Sequence, residues 1–110
     1  MEKFIKGDVV VIPFPYSDLT NAKKRPALVL ASSSLGDIIL CQITSQGIKD
    51  SCSITLSDEE FVSGSLNKIS NIRVNKLFTA DSKIVLYKIG SLKETKINQV
   101  IEKIIDILKG

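Results

Sequence analysis

Apolar residues in this chain come in short β-branched runs separated by turn-forming polar clusters, and only near the end does the spacing become helical. The segment Asp8–Phe14 holds Val9, Val10, Val11 and Ile12 in succession and reads as a strand apolar on both faces. Pro13 and Pro15 have no N–H to donate and are expected to end its pairing. Between Pro15 and Lys24, residues Ser17, Asp18, Thr20 and Asn21 mark a loop, since such side chains bond their own backbone in turns. Further strands are expected at Pro26–Ala31, Ile38–Thr44, Cys52–Leu56 (with Ile54 inward, Ser53 and Thr55 outward), Lys68–Leu77 and Ile84–Ile89.

Two stretches carry helix signals. Ser57 and Glu60 have capping-box spacing, which predicts a short helical turn that Gly64 stops. Ser91 and Glu94 repeat that spacing before Ile97, Val100, Ile101, Ile104 and Leu108, a stripe that predicts a terminal helix packed on a sheet. About six short strands with one terminal helix make an α+β, mostly β fold: a small, strongly bent antiparallel barrel. The second strand and its neighbours form the curved floor. Without repeats, low-complexity tracts or linkers, residues 1–110 read as a single domain.

Composition narrows the chemistry. With 44% apolar and 25% charged residues, the chain is a globular type and no disordered tail. No apolar run approaches the ~18 residues of a membrane span. Met1-Glu2-Lys3-Phe4 lacks the features of a signal peptide. The cytoplasm, away from membranes, is therefore the expected location. Cys41 and Cys52 read as two buried, reduced thiols. Histidine is absent, which removes histidine acid–base catalysis, Ser-His-Asp triads and most zinc sites. Without clustered carboxylates either, no metal or other cofactor is expected.

Net charge is +3, with Lys23, Lys24 and Arg25 consecutive where a polar loop re-enters a strand, and Arg73 and Lys76 close together later. A cationic triplet there suits a polyanion. Arg25 can hold two phosphate oxygens at once, and Pro26 fixes the backbone immediately after it. Gln42, Ser45 and Gln46 surround the end of the Ile38–Thr44 strand and offer groups to read edges of unpaired bases. Phe14 and Tyr16 flank the loop as base platforms, Tyr16 the better placed, each worth ~1–3 kcal/mol by stacking.

Several blocks occur in order along nearly the whole chain. They are Gly7-Asp8-Val9-Val10-Val11, Lys24-Arg25-Pro26-Ala27-Leu28-Val29-Leu30, Gln42-Ile43-Thr44-Ser45, Ile72-Arg73-Val74-Asn75-Lys76-Leu77-Phe78-Thr79 and Ile89-Gly90-Ser91-Leu92. Together they resemble the MazF/PemK-like toxins of type II toxin–antitoxin systems. That resemblance implies an SH3-like barrel, a homodimer, and metal-independent, sequence-specific cleavage of single-stranded RNA, leaving 2′,3′-cyclic phosphate and 5′-hydroxyl ends. It also implies a cognate antitoxin whose acidic segment lies along the RNA groove.

By the same resemblance Arg25 and Thr44 occupy the positions of catalytic residues. Arg25 would stabilise the phosphorane, and the Thr44 hydroxyl would assist at the scissile phosphate. Lys23 and Lys24 would draw the strand in. One branch of the family pairs an arginine with an aspartate two residues later, assisted by a histidine. Here Arg73 matches the arginine, but the aspartate position is Asn75, which takes no proton at neutral pH. Arg73 is then left to bind phosphate and Asn75 to contact a base. Two other readings stay open: a barrel that binds RNA without cutting it, and a toxin that grips a protein partner such as gyrase.

Overall fold

The computed structural model describes residues 3–14, 23–45 and 50–110. Among these residues, seven antiparallel strands and one α-helix follow each other as β1 (Asp8–Phe14), β2 (Lys23–Ser32), β3 (Asp37–Thr44), β4 (Ser53–Leu56), β5 (Phe61–Gly64), β6 (Ser70–Asp81), β7 (Tyr87–Leu92) and α1 (Glu94–Lys109). They form one curled sheet in the order β4-β6-β3-β2-β1-β7-β5. β2 stands at its centre, as expected of the curved floor.

The unbroken apolar run of β1 has a direct cause. Successive strand residues point to opposite faces, and here both faces are covered. Val9 packs into a cluster with Leu28, Cys41, Ile43, Ile72 and the α1 residues Val100 and Ile104. Val10 and Ile12 pack into another with Phe4, Ala27, Val29, Ile38 and Leu40. All four residues from Val9 to Ile12 are buried.

Helix α1 closes the first cluster, each fully buried aliphatic side chain contributing about 1.5–3 kcal/mol. Ile97, Val100, Ile104 and Ile107 carry the contact. Leu108, expected in the stripe, is 72% exposed. Position 108 shares the side of positions 97, 100, 104 and 107 on a 3.6-residue helix, so its exposure follows from its place in the last turn of α1, beyond Ile107, the last residue packed on the cluster. Cys41 is buried and Cys52 only half-buried, both as free thiols.

Several boundaries differ from the expected ones. β2 starts at Lys23, three residues before Pro26, because Pro13 pairs with Lys24 and Phe14 with Lys23. Pro13 does not end the strand, since β1 has no β7 partner beyond Val11 and leaves one edge open there. β6 runs to Asp81, past Leu77, because Phe78–Asp81 pair with Asp37–Leu40 of β3.

The helical turn at 58–60 stops at Phe61, well before Gly64. Glu60 does reach back to the Ser57 amide (2.8 Å), but Phe61–Gly64 then forms a strand against β7. That pairing brings the Gly64 and Gly90 backbones so close that a Cβ on either would strike the other strand. The strand expected at Ile84–Ile89 begins later, at Tyr87, after a short 3₁₀ turn at Ser82–Ile84 that Asp81 caps through Lys83 N (2.9 Å). Ser91 lies in β7 and does not cap α1. Its hydroxyl donates to the buried Asp8 carboxylate (3.1 Å), and Lys93 is the N-cap, without a side-chain bond. The Asp8↔Ser91 strand pair outcompetes the local capping signal.

Candidate nucleic-acid interface

Strand register decides which side chains meet. In the β2–β3 ladder Ala27 stands opposite Gln42. Continued two residues toward the start of β2 and the end of β3, that register would bring Arg25 beside Thr44, and both line one recess. On the other side of β3, Thr44 pairs with Asn71 of β6, which in turn pairs with Thr55 of β4. Lateral neighbours in a sheet share a face. Arg25, Thr44, Asn71 and Thr55 therefore form a polar row continuing the face of Val10, Ile12 and Ala27, the one α1 leaves uncovered.

Arg25 and Thr44 line one recess of about 150 Å³. Lys23, Lys24, Arg25 and Lys68 bring positive charge to it, and Thr44, Ser45 and Ser70 bring hydroxyls, around Pro26, Ile43 and Leu66. Thr44 is 6% exposed, and the Arg25 Nε is buried although the residue as a whole is half-buried. Lys23, Lys24 and Ser45 are exposed. A guanidinium and a hydroxyl at the rim of a small cationic hollow can bind a phosphodiester and stabilise added negative charge on it.

Gln42 lies one step along the same face, opposite Arg73. It lines a larger, mostly apolar cavity of about 470 Å³ together with Ile12, Pro13, Lys76, Leu77 and Phe78. Arg73 is buried and bound within the protein. Its Nη1 donates to Ser53 Oγ (2.8 Å) and lies 3.1 Å from Asp50 Oδ2. Asp50 also accepts from the Cys52 amide (2.9 Å) and the Ser53 hydroxyl (3.1 Å). The Cys52 amide lowers the Asp50 carboxyl most; desolvation opposes it, and Ser53 and Arg73 add to the lowering, so the group is held below its ordinary range. Ser53, expected to point outward, is half-buried in this cluster.

Asn75 is exposed where the β3–β6 register slips. Cys41 pairs with Leu77 and Gln42 with Arg73, so residues 74–76 of β6 have no partner on β3. Asn75 is thus set apart from the Arg25–Thr44 row. Tyr16, Gln46 and the side chain of Phe14 lie outside the described residues. Sequence reasoning missed Lys68, Asp50 and Ser53, which reach these positions only through long-range pairing. Burial pushes the Cys41 thiol up to about 12, which removes it as a nucleophile. Among the described residues, no cluster of three or more histidine, cysteine or carboxylate side chains could hold a metal. Nor is any described helix long and apolar enough to cross a membrane.

The fold has close counterparts among solved structures. A MazE–MazF complex from Deinococcus radiodurans superposes with a TM-score of 0.79 at 19% identity, covering 99% of this chain and 98% of that one. MazF from the same organism gives 0.77 at 18% identity, with 100% of both chains covered. An endoribonuclease from a mycobacterial species, in complex with its cognate antitoxin, gives 0.74 at 12% identity, covering 99% and 96%. A search of characterised protein sequences finds no match. Identities this low speak for the fold, and the sequence itself supplies the family: residues 5–108 match the model of the PemK-like, MazF-like toxins of type II toxin–antitoxin systems. The chain belongs to that family.

Proposed function

We propose that this protein is a sequence-specific endoribonuclease toxin that cuts single-stranded messenger RNA without a metal, in the cytoplasm. The observation that carries the reading is the meeting of Arg25 and Thr44 in one cationic recess, although they come from different strands. The ribose 2′-hydroxyl attacks the adjacent phosphorus and the bond to the 5′-oxygen breaks. The 2′-oxygen loses its proton and the departing 5′-oxygen gains one. The products are a 2′,3′-cyclic phosphate and a 5′-hydroxyl.

Because the nucleophile belongs to the RNA, the protein has to stabilise the charge that grows on the phosphorane oxygens. Arg25 does so with its planar donor fork, and Thr44 with its hydroxyl. Lys23 and Lys24 attract the strand, while Gln42, Ser45 and Gln46, with Tyr16 and Asn75, contact bases. Arg73, tied to Asp50 and Ser53, shapes the adjoining wall and adds positive potential for phosphate. The protein acts as a homodimer. An antitoxin with an acidic segment inhibits it by occupying the cationic recess, a reading supported by the antitoxin-bound structures of its structural counterparts.

A second reading draws on the same cluster. With Arg73 held by Asp50 and Asn75 lacking a carboxylate, the barrel would bind RNA without cutting it, or poison a protein such as gyrase. Product chemistry separates the readings. Incubation with a long unstructured RNA in excess EDTA should give discrete fragments whose masses show cyclic phosphate and 5′-hydroxyl ends. Ends bearing 5′-phosphate would refute the mechanism, and intact RNA under saturated binding would favour the second reading.

A further inference from the structure

We propose that Lys68, on the turn between β5 and β6, binds an RNA phosphate adjacent to the scissile one. The inference rests on the endoribonuclease reading and adds a residue that neither charge clustering nor family resemblance singles out. Lys68 lines the recess of Arg25 and Thr44 from the segment between β5 and β6, whereas Lys23 and Lys24 reach it from the start of β2. A strand whose scissile phosphate sits at Arg25 carries further phosphates on both sides of it. Lys23 and Lys24 offer charge from β2, and Lys68 is the one cation that the β5–β6 turn brings to the recess among the described residues.

The turn is built to hold that position. Asp58 Oδ1 accepts from the amides of Leu66 (3.1 Å) and Asn67 (3.3 Å), and Ser65 Oγ accepts from Asn67 N (3.0 Å). Asn67 adopts a left-handed φ of 60°, a conformation asparagine tolerates better than most residues. Next along the chain, the buried Ser70 donates its hydroxyl to the Lys68 carbonyl (3.4 Å). Backbone anchored on both sides leaves mainly the side chain to be ordered on binding. Among the described residues no ion pair engages Lys68, and its side chain is exposed. An ammonium on a flexible stem suits a bound phosphate better than a transition state, because it is a point charge without a fixed fork.

The test uses a single-stranded oligodeoxynucleotide, which has no 2′-hydroxyl and so survives the proposed chemistry. Its affinity is measured across a range of salt concentrations for the wild type, Lys68→Ala, Lys68→Arg, Lys24→Ala and, as a control far along α1, Lys109→Ala. Loss of one phosphate contact lowers the slope of log affinity against log salt by ~0.7. Lys68→Ala should show that loss, while Lys68→Arg and Lys109→Ala keep the wild-type slope. On cleavable RNA, Lys68→Ala should raise KM about tenfold and leave kcat within about twofold, in line with uniform binding. An unchanged slope in Lys68→Ala beside a reduced one in Lys24→Ala would overturn this assignment and leave the nuclease reading standing. No binding or cleavage by the wild type would overturn both.

Discussion

Arg25 and Arg73 have the same side chain and opposite situations. Arg73 is closed in by Asp50 and Ser53, whereas Arg25 borders a hollow that a phosphate can enter. In the proposed mechanism, charge stabilisation therefore falls to Arg25 and wall-building to Arg73. In the same mechanism the Thr44 hydroxyl, and not its bulk, is the working part. Thr44→Val keeps the shape, so kcat should fall by about 10²-fold, the usual effect of removing one donor to a developing oxyanion. Single-turnover cleavage at saturating enzyme measures this, with thermal unfolding as a check on the fold. Equal rates would show that Thr44 has only a strand-pairing role.

Individual strands were legible where burial on both faces wrote itself as consecutive apolar residues, as in Val9–Ile12. β5 was not, because Phe61–Gly64 has one buried residue and owes its existence to β7. Likewise Ser91 carried a capping signal that its pairing with Asp8 overrode. Gly64 and Gly90 test this element directly, since a Cβ on Gly90 would strike the Ser63 carbonyl. Gly90→Ala should destabilise the protein by about 1–3 kcal/mol through overpacking, as read from urea unfolding. On the helix, Ile104→Ala should cost about 2–5 kcal/mol, whereas Leu108→Ala, exposed in the last turn, should be nearly silent. A large loss at Leu108 would contradict the observed end of the α1 contact at Ile107.

Across the whole molecule, α1 and the β5 edge are linked by an ion pair between Lys96 and Glu60. Burial pushes the Glu60 carboxyl up, but bonds from Lys96 and the Ser57 amide outweigh it and leave the group below its usual value. Asp50 is held low in the same sense. A carboxyl depressed in the folded state stabilises the fold above its unfolded value, and that stabilisation disappears as pH falls through the depressed folded value. Stability should therefore be level near neutrality and decline in the acid range. In Glu60→Gln, urea midpoints between pH 3 and pH 7 should show a shallower decline; an identical one would remove Glu60 as a cause.

The site was legible in part at this scale. Arg25 and Thr44 stood out separately through family resemblance, but their meeting depends on the β2–β3 register, which no local pattern encodes. Lys68 and Asp50 carried no local signal at all. The most direct test of the central claim is single-turnover cleavage of an unstructured RNA in EDTA by the wild type and by Arg25→Ala. The wild type should give discrete fragments, and Arg25→Ala, unfolding at the same urea concentration, a rate at least about 10²-fold lower. Equal rates in the two proteins would contradict it.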